Sequence, residues 1–212
     1  MTAITDAYLD AAAAAADLLA DPAVAAAWDK PSALPKFSVR GLAGHLAFQV
    51  LNVGPVVTAP RRPAPPISLL DHYATVRWID VDLDDEINVS IRQTGEERAA
   101  SGPAELAATV AAEAARLRDL LAATPGDQPV HLPWTGWSLT VDDFLTTRMM
   151  EITVHSDDLA VSVGIAPPEL PAHVLDPVLA LLTRLAVRRH GQAAVVRALS
   201  RAERAPATIA AI

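Results

Sequence analysis

The stretch Val141-Asp142-Asp143-Phe144-Leu145-Thr146-Thr147-Arg148-Met149-Met150-Glu151-Ile152-Thr153-Val154-His155-Ser156-Asp157-Asp158-Leu159-Ala160-Val161-Ser162-Val163-Gly164 decides the fold. Val141, Phe144, Leu145, Arg148, Ile152, His155 and Leu159 recur at helical spacing, so a helix is expected from about Val141 to Val163. Thr140 with Asp143 resembles a capping arrangement, with Asp in place of the usual Glu or Gln. Gly164 suits the position just past the C-terminus. Arg148 and His155 are polar residues on an otherwise apolar line. Glu151 and His155 are four residues apart, which places them on one face with β-carbons roughly 5–6 Å apart.

Working outward, His45 lies in a second apolar-periodic stretch, Val39-Arg40-Gly41-Leu42-Ala43-Gly44-His45-Leu46. Ser38 reads as its N-cap, and Val39, Leu42, Leu46, Val50 and Val53 as its buried stripe. If these two helices pack, His45, Glu151 and His155 converge as ligands on a divalent metal and leave a coordination position open. The E-x-x-x-H spacing alone suits a plain ion pair equally, worth a few tenths of a kcal/mol on an exposed helix. Asp158, three residues after His155, is spaced to hold the other ring nitrogen. Arg148 reads either as a salt-bridge partner that braces the helix or as a clamp for a substrate carboxylate.

Helical signals dominate the remainder. Helices are expected over 4–20, 68–79, 103–123, 174–190 and, briefly, 193–201. Residues 30–37 read as a loop, 130–137 as an extended segment or short hairpin, and 207–212 as a strand. The stretch Pro55–Pro66, with five prolines and two arginines, is expected to be an ordered loop or lid. The acidic run Asp80, Asp82, Asp84, Asp85, Glu86 lacks the glycine and distal glutamate of a calcium loop, and reads as a solvated face or helix start. Trp134 and Trp137 either pack the core or line a pocket beside the ligand helix. His72, His131, His173 and His190 show no ligand-like partner, with His131 the reserve candidate. The fold class is therefore mainly α, a four-helix bundle over 1–165 with a short α or α+β extension over 166–212.

Bulk properties narrow the chemistry. There is no cysteine, so a disulfide, a thiolate metal site and a protein-borne thiol are all excluded. Any thiol chemistry needs a thiol brought by a small molecule. A net charge of −8 argues against nucleic acid or an anionic membrane as partner. The start lacks a basic segment followed by an apolar one, and no apolar run is long enough to span a bilayer, so the cytosol is the expected location.

The segments Phe37–Leu46 and Arg148–Ala160 resemble the "W-t-v-r-d-L-v-a-H-l" and "R-x-x-E-x-x-x-H-x-x-D-l-a" motifs of mycothiol-dependent maleylpyruvate isomerase-like proteins, in the DinB-like superfamily. Phe37 stands where the family usually has Trp. The resemblance implies an up-and-down bundle and a divalent metal, typically zinc, held by His45, Glu151 and His155. It implies mycothiol, the cysteine-bearing thiol of actinobacteria, as cosubstrate. The expected activity is thiol transfer to, or cis–trans isomerisation of, a small electrophile that carries a carboxylate, with Arg148 as the catalytic anion clamp. Two other readings stand beside it: a non-catalytic metal-binding domain for protein interaction, and a thiol-independent metal hydrolase.

Overall fold

The structure is a computed structural model and describes residues 1–60 and 64–212. In chain order the elements are α1 (Ala3–Leu19), α2 (Pro22–Ala26), α3 (Val39–Leu51), α4 (Val53–Thr58), α5 (Leu69–Thr75), α6 (Glu86–Arg98), α7 (Pro103–Ala122), β1 (Pro129–His131), β2 (Ser138–Thr140), α8 (Val141–Val163), α9 (Ala172–His190) and α10 (Gln192–Ser200). The long helices start where the sequence supplies a capping group. The hydroxyls of Thr2, Ser38 and Thr140 each accept a backbone N–H in the first turn of α1, α3 and α8. Pro103 opens α7, where its missing N–H leaves no bond unmade. Gly164 ends α8 at a left-handed φ of 75°, a conformation that suits glycine.

Helices α1, α3, α7 and α8 form the bundle: α1 and α3 each pack against both α7 and α8. Its core is filled by Tyr8, Leu42, Leu46, Leu117, Leu121, Phe144, Leu145 and Met149, all fully buried. Each such side chain contributes about 1.5–3 kcal/mol of burial free energy. Helix α9 lies against α8 and α1, and α10 against α9. Strands β1 and β2 form an antiparallel hairpin that pairs Val130 with Leu139 and delivers the chain into α8. The N–H of Ile67 donates to the carbonyl of Ser138, which ties the approach to α5 onto this hairpin. Among the described residues no helix is long and apolar enough to cross a membrane.

One helix adds to those expected, and three local expectations change. Helix α6 gave no readable apolar stripe, yet it lies along α3. It does so through glycine: a Cβ on Gly44 would fall 2.0 Å from the Gly95 carbonyl oxygen, and one on Gly95 would fall 2.3 Å from that of Gly41. The acidic run leads into this helix, with Asp85 as its N-cap. Helix α5 stops at Thr75, short of the expected 79. Pro55 sits inside α4 rather than in a loop, in the first turn, where the missing N–H is tolerated. The rest of that expected lid falls partly on 61–63, outside the described residues. Residues 207–212 form no strand: His190 Nε2 donates to the Ala210 carbonyl at 2.8 Å, and Ile212 packs on the core.

Candidate metal centre

Helix α3 presents His45, and α8 presents Glu151 and His155 one turn apart. The bundle brings the two faces together. The imidazole centroids of His45 and His155 are 4.6 Å apart with planes at 82°. Glu151 Oε2 lies 3.2 Å from His155 Nε2 and 3.8 Å from His45 Nε2. One potential ligand atom from each residue falls within 4.8 Å of the others. Ligands on a tetrahedral zinc, with bonds near 2.0–2.1 Å, stand roughly 3.3–3.5 Å from one another, so the donor set fits such an ion after small adjustments. Two imidazoles and a carboxylate form a three-ligand set that leaves a position for an exogenous group. The three side chains are largely buried and retain 13–16% of their surface.

Local electrostatics set the protonation of the three side chains. His155 Nδ1 lies 3.0 Å from Asp158 Oδ2, which keeps that nitrogen protonated and turns Nε2 toward Glu151. Burial opposes a charge on His155, but its hydrogen bonds to Asp158 and Glu151 outweigh burial and push the pKa up to about 9. Burial dominates at His45 and, helped by the neighbouring His155 charge, lowers its pKa despite Glu151. At Glu151 burial alone would raise the pKa. The hydrogen bonds of His155 and His45, with the positive charges of His155 and Arg148, together hold its carboxyl well below the usual carboxylate range.

Arg148 is buried at 7% exposure. Its Nη1 donates to Gln49 Oε1, its Nε to Thr147 Oγ1 at 3.1 Å, and its guanidinium carbon lies 5.6 Å from the Phe144 ring centroid. Among the described residues no carboxylate lies within 4.0 Å of it, so the helix-bracing salt bridge to Glu151 does not form. The residue that sequence reasoning missed is Gln49, 1% exposed on α3, one turn beyond His45. Its only signal was a polar residue at the i+4 position from a histidine.

The other candidates lie apart from the triad's ligand atoms. Trp134 is half-exposed and stacks edge-on against Phe48 at 5.8 Å. The Trp137 indole N–H donates to Nδ1 of buried His72 at 3.0 Å. That bond gives His72 a partner in the core and not a ligand role. His131 Nδ1 is buried with no hydrogen-bond partner among the described residues, and His173 pairs with Asp10 at 2.9 Å.

The model of the mycothiol maleylpyruvate isomerase N-terminal domain matches residues 8–160. The chain belongs to that family. No curated protein and no solved structure matches it. The matched part of this mycothiol maleylpyruvate isomerase N-terminal domain contains His45, Gln49, Arg148, Glu151, His155 and Asp158, and leaves α9 and α10 outside.

Proposed function

We propose that the protein is a metal-dependent enzyme that uses mycothiol for sulfur transfer to, or cis–trans isomerisation of, a small electrophile. The observation that carries this reading is the convergence of His45, Glu151 and His155 inside the span matched by the mycothiol family model. A divalent metal, with zinc the best fit to this donor set, supplies a Lewis acid at which a thiol ionises at neutral pH. His45 and His155 hold it through Nε2, and Glu151 adds the negative charge that retains a dication. Asp158 fixes the tautomer and orientation of His155. Buried Arg148 adds a fixed positive charge that steadies the anionic sulfur and any acidic group on the substrate. The chain has no cysteine, so a thiol nucleophile has to be brought by the cosubstrate.

The test follows thiol consumption against a panel of small electrophiles, with and without added zinc. His155→Ala is expected to lose metal and at least about a hundredfold in thiol-dependent rate while circular dichroism stays helical. Undiminished turnover in that variant or in metal-stripped protein sinks the proposal. Metal-dependent turnover without any thiol moves the assignment to a hydrolase.

A further inference from the structure

Gln49 is held by three contacts that together fix which way its amide faces. A guanidinium only donates hydrogen bonds, so the Gln49 atom that meets Arg148 Nη1 is the oxygen. The nitrogen therefore faces the other way. One of its hydrogens goes to the His45 carbonyl, with Nε2 3.0 Å from that oxygen. The same nitrogen stands 3.5 Å from His45 Nε2, the atom that faces Glu151 Oε2 across the triad. The second amide hydrogen thus faces His45 Nε2, which accepts it in the tautomer that leaves this nitrogen its lone pair. Gln49 is 1% exposed, so bulk water does not offer that hydrogen a substitute.

The direction of this hydrogen changes meaning once His45 gives its lone pair to a metal. The N–H then loses its acceptor, and a cation offers none. The acceptor left in that space is the lone pair of whatever anion completes the site. We infer that Gln49 donates its second amide hydrogen to the anionic donor atom of the exogenous ligand held at the triad, and that Arg148 is the positioning residue that turns the amide that way. The inference rests on the metal-and-thiol reading above and adds to it a specific hand on the sulfur. Charge-assisted hydrogen bonds of this kind are about twice as strong as neutral ones and favour the ionised thiol over the neutral one. It also gives Arg148 work that needs no substrate carboxylate.

The test uses full-length protein loaded with cobalt(II), whose visible bands report coordination and which gains a near-ultraviolet charge-transfer band when a thiolate binds. The probes are mercaptoethanol and azide; neither carries a carboxylate. Gln49→Met and Gln49→Glu are expected to keep one metal per chain and a helical spectrum, yet to bind both probes about tenfold more weakly or worse. The glutamate variant keeps an oxygen for Arg148 and has no N–H to give, but its added charge itself weakens anions, so weakening supports the inference only in the methionine variant, while undiminished affinity in either variant overturns it. Arg148→Lys keeps the charge and loses the planar fork, and is expected to lose several-fold in probe affinity with its metal intact. Probe affinities within twofold of wild type in the Gln49 variants overturn the inference. Loss of the metal in both Gln49 variants also overturns it, since Gln49 would then be supporting the ion itself. An unchanged Arg148→Lys alongside weakened Gln49 variants removes Arg148 from it. If wild type binds azide but not mercaptoethanol, the thiol reading fails and the azide arm still decides Gln49. If it binds neither, both fall.

Discussion

On the proposed metal reading, His155 carries the proton that a bound ion would displace. Its pKa lies at about 9, while Glu151 is held ionised and burial keeps His45 neutral. Loading near neutral pH is therefore expected to release about one proton per metal ion. The sign follows from which form binds: neutral imidazole is the ligand, so affinity falls about tenfold for each pH unit below about 9 and levels off above it. Calorimetry in two buffers of different ionisation heat counts the proton. An affinity that does not change between about pH 7 and pH 9 would remove His155 as the protonated ligand. Asp158→Asn is expected to weaken metal binding about 10–100-fold, because the carboxylate that fixes the ring is gone. The Glu151–His155 face was legible in the sequence because i, i+4 spacing on a helix is a geometric rule. The bonding of Gln49 was not, because its partner Arg148 is 99 residues away and no local pattern encodes that contact.

At the scale of elements, the α3–α6 crossing is the most sensitive contact. Gly44 meets the Gly95 backbone so closely that a methyl group has no space, and a backbone carbonyl cannot rotate aside as a side chain can. Gly44→Ala is expected to cost about 3 kcal/mol, the upper end for overpacking, and to lower Tm by roughly 6–12 °C. Differential scanning calorimetry checks it, and an unchanged Tm would show that α6 slides freely on α3. This crossing also explains which elements the sequence revealed. Helices α1, α3, α7 and α8 bury regular apolar stripes, so their periodicity was readable. Helix α6 buries little but the glycine of its inner face, so it has no stripe to read. The C-terminal segment misled for another reason. Its Thr and Ile residues suggest a strand, but among the described residues the only sheet is the β1–β2 hairpin, and the segment does not join it.

Across the whole molecule, His72 sets an acid limit on stability. It is buried on α5, accepts the Trp137 N–H, and has a pKa lowered to about 4, first by burial and then by the Arg148 charge. A histidine with a folded pKa below its unfolded value of about 6.5 gives its full stability above that value. That stability is lost as pH falls from about 6.5 to about 4, and amounts to about 3 kcal/mol. His72→Gln keeps an acceptor for Trp137 but cannot take the proton. Its loss of stability over that range, read from urea midpoints, is expected to be smaller than that of wild type by about that amount. Equal losses in the two proteins would place the acid limit elsewhere.

The hydrogen bond between Arg148 and Gln49 joins partners 99 residues apart, with α6, α7 and the hairpin laid down between them. Long-range contacts form only after a large loop has closed, so the groups that surround the triad come together late as the chain folds. If the proposed site holds a metal ion, the ion would be gripped only after that moment. Its hold would then act on the finished protein and not on the barrier that precedes it: refolding rate would stay as it is, and the loaded molecule would live longer before it opens.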